Sequence, residues 1–282
     1  MKKLVFGLIA TVVFGFVGNA QQKEENYKKI NVEKLTKDLL VINDSHYSGQ
    51  QLRSWKSWCQ IGVADCGGAW CGSWAGGKVG GLFGPEGAAV GAVAGAVIIG
   101  AAASYGASRM AAPGTTPKLL DERILTYDTS IIYLNPNKNP FDISCGKRHN
   151  ELVVSLIKNN NTEGPEVLTE LYNNTEINDN ETLFYKDRIN TTLEFYSESK
   201  NSNNIVETVK NLVSKNISDN ILNVIMNSYI DGVYATGNLD DAIKLTYDYE
   251  NYIISNVEIS EEQRTILLMG LSVGKYSFNL WH

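Results

Sequence analysis

Apolar and polar positions alternate along this chain mostly at helical spacing. Val32, Leu35, Leu39 and Ile42 recur three and four apart behind Asn31, so residues 31–42 read as a short amphipathic helix with Asn31 as its N-cap. Residues 44–51 read as a loop, and the helical pattern restarts over residues 52–58. Further on, Leu152, Val153, Leu156 and Ile157 mark one helix, and Pro165 opens a short one through Leu171. Leu183, Phe184, Ile189, Leu193 and Tyr196 mark another, followed by Ile205, Val206, Val209, Leu212 and Val213. Helices over residues 221–234 and 239–254 come next, and a last one begins after Ser260, where Ser260 and Gln263 form a capping box. Residues 126–134 read as a strand or extended arm, and the Pro- and Asn-rich residues 135–142 as a turn-rich loop. The fold class is all-α.

Between these stretches the pattern changes. Glycines stand four apart at Gly68, Gly72, Gly76, Gly80 and Gly84, and the spacing resumes at Gly87, Gly91 and Gly95. In a helix this draws one bare stripe. Each interior glycine costs about 1 kcal/mol against alanine, so the stripe makes sense where another backbone packs closely on it. All eight glycines are therefore candidate helix-packing positions. Gly84-Pro85-Glu86 reads as a turn opening a second helix, since proline suits the first helical position and an acid the positive end of the dipole. Residues 59–112 are thus expected to form a glycine-zipper helical hairpin. The second helix carries no charge over the 22 residues from Gly87 to Ser108, about 33 Å of helix and long enough for a bilayer core. Its alanine and glycine content is poor in transfer energy, so the hairpin is expected to insert, or to pack, through its glycine faces. Trp55, Trp58, Trp70 and Trp74 cluster at its start and suit either a membrane interface or a core or subunit contact.

The N-terminus carries Lys2 and Lys3, an apolar run to Val17, and small residues before Gln21. Residues 1–20 read as a secretory signal peptide cleaved after Ala20, which places the mature chain outside the cytoplasm, in the periplasm, the outer envelope or the medium. The remainder divides into an N-terminal helical segment, residues 21–58, the hairpin, residues 59–112, and an acidic helical domain, residues 113–282, joined through Pro113, Gly114 and Pro117. Residues 113–282 hold fourteen basic and twenty-four acidic side chains, which argues against a nucleic-acid partner.

Candidate chemistry is sparse. Cys59, Cys66, Cys71 and Cys145 are candidates for disulfides in an exported protein, with three pairings open. Cys145 and His149 share a helical face, the geometry of two metal ligands or of a thiol and its base, but two ligands make no metal site, so neither a metal nor a catalytic residue is assigned. No G-x-S-x-G and no phosphate loop is present. The pairs Asp240–Asp241 and Glu261–Glu262 sit at helix starts, where they complement the dipole. Asp65, the one acid at the head of the glycine row, reads as a helix cap or as a group that meets a partner's cation. No cofactor and no small-molecule substrate is indicated.

Three segments carry a resemblance: Val63-Ala64-Asp65-x-Gly67-Gly68-Ala69, Asn139-Pro140-Phe141-Asp142-x-x-x-Gly146-x-x-His149-Asn150-x-Leu152, and Leu267-Leu268-Met269-Gly270-Leu271-Ser272-Val273-Gly274-Lys275-Tyr276-Ser277. Together they resemble a group of exported bacterial proteins of unassigned function, which implies architecture and export and transfers no catalytic residue. Residues 67–106 alone resemble class II bacteriocins and the glycine-zipper domains of envelope proteins. The expectation is a non-enzymatic, exported cell-envelope protein whose hairpin associates with a membrane or with itself. The alternative is a secreted, bacteriocin-like antibacterial or pore-forming protein that inserts the same hairpin.

Overall fold

Residues 31–49, 53–111, 124, 126–128, 139–158, 179–198 and 204–282 are described in a computed structural model of the chain. The expected signal peptide, the expected linker at Pro113–Pro117, most of the expected arm over residues 126–134 and the expected helix at Pro165 lie outside them. Every regular element among the described residues is helical: α1 (Val32–Ser45), α2 (Arg53–Gly80), α3 (Pro85–Ala111), a π-helical turn (Asp142–Lys147), α4 (Arg148–Lys158), α5 (Asp179–Glu198), α6 (Ile205–Asn216), α7 (Asn220–Ala235), α8 (Leu239–Ser255) and α9 (Glu261–Trp281), with a 3-10 turn at Gly81–Phe83.

Capping fixes the helix starts. Asn31 Oδ1 accepts from the Lys34 amide at 3.2 Å. Asn204, Asp219 and Asn238 cap α6, α7 and α8 in the same way, and Ser260 with Gln263 closes the capping box of α9. Three of these starts thus rest on an asparagine: Asn31, Asn204 and Asn238.

The hairpin of α2 and α3 is the centre of the molecule rather than an appendage. On α2, residues 61–73 are all buried, and on α9 all of residues 266–281 are buried except Asn279, which is half-buried. A helix buried on every face must be covered on every side. Here α2 is covered by α3, α9, α6 and α7, while α5 and α4 lie on α3 and α8 lies on α9. One continuous apolar core runs from Leu35 to Trp281 through the hairpin and the later helices. The hairpin and the acidic helical region, expected as successive units, therefore share that core.

The glycine rows meet inside the chain. A Cβ placed on Gly72 would strike the Gly95 carbonyl, one on Gly76 the Gly91 carbonyl, and one on Gly80 the Gly87 carbonyl; Gly68 faces Ile99, Gly100 and Ala103. The two backbones approach at one-turn intervals, and the stripe is consumed within the hairpin. Gly84 departs from the expected row: it sits in the connection at φ 94° with no atom near its absent Cβ, so it serves the turn, where left-handed backbone favours glycine. Other glycines admit bulky side chains from the surrounding helices. Gly62 lies under Phe278, Gly67 under Val209, Gly106 under Tyr196 and Gly270 under Trp70.

The tryptophans settle in the same core. Trp55 and Trp70 are buried and Trp58 and Trp74 are half-buried against it. Trp70 donates to the Leu267 carbonyl at 3.1 Å and meets the Tyr229 ring edge-on.

Candidate functional site: a buried polar network along the last helix

α9 is apolar apart from a few positions, and those positions organise two polar clusters. The first surrounds Asp65. It lies in the interior of α2, fully buried, so the expected cap is overturned: a helix that begins at Arg53 leaves Asp65 no free amides to bind. Its Oδ2 accepts instead from Ser104 Oγ at 2.9 Å, from Trp281 Nε1 at 3.1 Å and from Ser277 Oγ. Oδ1 is buried with no hydrogen-bond partner among the described residues. Burial pushes the carboxyl up from 3.8 to about 7, against the three hydrogen bonds, which favour the charged form. His149 is also fully buried, its Nε2 3.6 Å from Asp65 Oδ2 and its Nδ1 3.1 Å from Asn150 Oδ1. Burial lowers the imidazole to about 4, so it is neutral at ordinary pH and its contact with Asp65 is not an ion pair. The ring lies over Gly100, where a Cβ would approach Cδ2 to 3.1 Å.

The second cluster surrounds Lys275. Its ammonium is fully buried and lies 2.9 Å from each carboxylate oxygen of Asp142 and 2.9 Å from Glu250 Oε1. Asn139 holds Glu250 in place, donating from Nδ2 to Oε1 at 2.7 Å and to the Leu268 carbonyl at 2.9 Å. Ser272 fastens the π-helical turn to α9: its hydroxyl donates to the Phe141 carbonyl at 3.0 Å and accepts from the Gly146 amide at 3.1 Å. Gly146 is required there, since a Cβ would meet the Ser272 carbonyl at 2.7 Å as well as the Tyr276 ring. Burial raises Asp142 to about 7, while Lys275 and the Ser272 hydroxyl pull it back and Glu250 adds to the rise. For Lys275, burial favours the neutral amine, but Glu250 and Asp142 outweigh it and hold the amine above its ordinary value.

The three segments singled out in the sequence therefore converge. The first supplies Asp65, the second Asn139, Asp142, Gly146, His149 and Asn150, and the third Ser272, Lys275 and Ser277. Asn150 completes the link, donating to the Tyr276 carbonyl at 2.9 Å and to the Tyr127 hydroxyl at 3.0 Å. Glu250 lay outside all three, and nothing in its surroundings, Tyr-Asp-Tyr-Glu-Asn-Tyr, distinguishes it from an exposed acid. Lys275 and Asp65 do carry a signal of their own. Lys275 is the sole charge in residues 265–281, and Asp65 the sole charge between Lys56 and Lys78. An isolated charge in an otherwise uncharged helix has no polar face on which to lie.

The cysteines stand apart from both clusters. All four are buried free thiols, which overturns the expected disulfides. Cys59, Cys66 and Cys71 lie on one continuous helix, and at 1.5 Å of rise per residue neighbours five or seven apart are separated by roughly 7–11 Å, beyond disulfide reach. Cys59 points to the Val233 carbonyl and Cys71 to the Leu212 carbonyl, and Cys66 packs under Gly274. Cys145 contacts Ser144 and is raised by burial to about 12, while His149 turns to Asn150 and Asp65, so the two share no thiol–imidazole contact. Among the described residues no three His, Cys, Asp or Glu side chains are grouped to hold a metal ion. The cation that Asp142 and Glu250 need is Lys275. A water-sized cavity of about 10 Å³ lies between α2, α5 and α6, lined by Cys71, Phe184, Arg188, Thr192 and Leu212, away from both clusters.

No protein-family model matches the chain, no curated protein matches it, and no solved structure matches the fold.

Proposed function

We propose that the protein is an exported, non-enzymatic component of the cell envelope, whose glycine-zipper hairpin packs with itself as the internal core of a helical body. The register of Gly72 on Gly95, Gly76 on Gly91 and Gly80 on Gly87 carries this reading, because those faces are occupied within the chain. The ionisable groups that the fold gathers are engaged in helix packing: Asp65, Asp142, Glu250 and Lys275 each hydrogen-bond to side chains of other elements. Export follows from the charged, apolar and small-residue order of residues 1–20. Fractionation of cells into medium, soluble periplasm and membrane tests it. The mature chain is expected outside the cytoplasm and released by carbonate. Recovery in the cytoplasm with Met1 intact, or only in detergent, would sink the proposal.

A second reading has its own observation. Pro85–Ser108 is long and apolar enough to cross a membrane, although most of it is buried inside the protein, and Leu82 is 81 % exposed at the hairpin's closed end. A secreted antibacterial or pore-forming protein would store its inserting hairpin in this way. Killing of a competitor strain, or dye leakage from liposomes at low protein concentration, would favour it.

A further inference from the structure

We infer that Lys275 and Asp142 are the two ends of an intramolecular amide cross-link, formed between Lys275 Nζ and Asp142 Cγ with Glu250 as the proton carrier. The juxtaposition is specific. The amine lies 2.9 Å from both oxygens of Asp142, which places it within roughly 3–3.5 Å of the carboxyl carbon, the separation of a near-attack arrangement. Glu250 touches the amine through Oε1 alone, at 2.9 Å, and that oxygen is also held by Asn139. That single contact, against two oxygens of Asp142, assigns Glu250 as the carrier and Asp142 as the electrophile. Glu250 Oε2 is buried and has no hydrogen-bond partner among the described residues, so it is open to a proton.

The step balances without a co-reactant. The ammonium passes one proton to the Asp142 carboxylate, leaving a neutral amine and a neutral carboxyl. The amine lone pair attacks Cγ and the C–N bond forms. Glu250 takes a second proton from the nitrogen and delivers it to the departing hydroxyl. The C–O bond breaks, one water leaves, and Glu250 returns to a carboxylate. Burial works toward the first transfer by raising the Asp142 carboxyl to about 7, while Glu250 and Asp142 hold the amine above its ordinary value, so the neutral pair is the minor form from which the attack proceeds. The same burial, with Lys275, Asp142 and Glu250 all at or below 1 % exposure, keeps out the water that would reverse the reaction. The Tyr247 ring, 5.0 Å from Nζ, forms part of the enclosure. The product would tie the π-helical turn to α9 across most of the later helices, a covalent closure in a chain whose cysteines are all free.

Mass spectrometry of the purified, folded full chain tests this. A tryptic digest of the wild type should contain residues 139–147 joined to residues 265–282, lighter by one water than the two peptides together, because the acylated Lys275 is no longer cleaved. Glu250→Gln should yield the two sites as separate peptides. Wild-type protein with Lys275 cleaved normally and no joined peptide overturns the inference, whether or not the variant accumulates. A joined peptide lighter by ammonia would place the electrophile at Asn139 and overturn the assignment of Asp142. A link that persists in Glu250→Gln would overturn the role of Glu250.

Discussion

Asp65 is the residue at which the fold departs furthest from an ordinary core. Its folded carboxyl sits near 7 against 3.8 in an unperturbed chain, so between about pH 4 and 7 the folded protein holds a proton that the unfolded chain has released. Stability therefore falls as pH rises across that window. His149 acts in the opposite sense: its folded value is about 4 against 6.5, so the unfolded chain binds the extra proton and stability rises with pH between those values. Replacing one group isolates its share. Asp65→Asn keeps the shape and removes the titration, so the melting temperature of the variant should improve relative to wild type as pH is raised from 4 to 8. A difference that stays constant with pH would show that Asp65 carries no buried-charge penalty. How much of this was legible follows from the same residue. Its isolation in an uncharged stretch marked it as unusual, but the donors that surround it come from positions 104, 277 and 281, and no local pattern connects residues so far apart. The convergence of Lys275 with Asp142 and Glu250 was hidden for the same reason.

At the scale of elements the glycine row was the most legible feature, because a four-residue repeat that costs helix propensity requires a compensating close contact. Its partner was open: membrane, second copy and second half of the hairpin satisfy the same spacing. The fold chooses the last, through the turn at Gly84-Pro85, and adds the register. Neighbouring glycines now separate propensity from packing. Gly77 faces Ala92 Cβ at 3.6 Å and the Ala88 carbonyl at 3.7 Å, ordinary contacts for a new methyl group. Gly77→Ala should therefore stabilise by up to about 1 kcal/mol, the propensity difference alone. Gly76→Ala adds the same methyl one position away, against the backbone carbonyl of Gly91, which Tyr185 also fixes with a hydrogen bond of 2.9 Å. It should destabilise by about 1–3 kcal/mol. Chemical denaturation of the pair measures both, and the same sign for the two would mean that the rows do not touch. The Asn31 cap and the capping box of Ser260 and Gln263 were equally readable. The division of labour among the other glycines was not, since Gly62, Gly67 and Gly270 gain their roles from aromatic and branched side chains on helices far along the chain.

For the whole molecule, the decisive fact is that α2 and α9, buried on every side over residues 61–73 and 266–278, are packed against each other although they lie far apart along the chain. The sequence divided the chain at the Pro113–Pro117 linker, because composition changes there from glycine-rich to acidic. Composition records the solvent-facing half of each helix, whereas the shared core is carried by residues such as Leu267, Met269, Val273 and Phe278, which look alike whether they meet their own region or the hairpin. Without α2 that face of α9 would be open, since Trp70 fills the place above Gly270, Cys66 lies under Gly274 and Gly62 admits Phe278. Residues 113–282 produced alone should therefore retain helical circular dichroism yet melt without a sharp transition and bind a hydrophobic dye. A cooperative melt matching that of the intact chain would show that the helical region needs no hairpin. The same dependence bears on insertion. If the hairpin ever enters a bilayer, it must first leave α9, α6 and α5, so leakage from liposomes should track the ease of opening. Gly76→Ala should leak more than wild type and Gly77→Ala less, in the reverse order of their stabilities. Equal leakage from the two variants, or none from either after partial unfolding in mild denaturant, would mean that the hairpin is a core and nothing else.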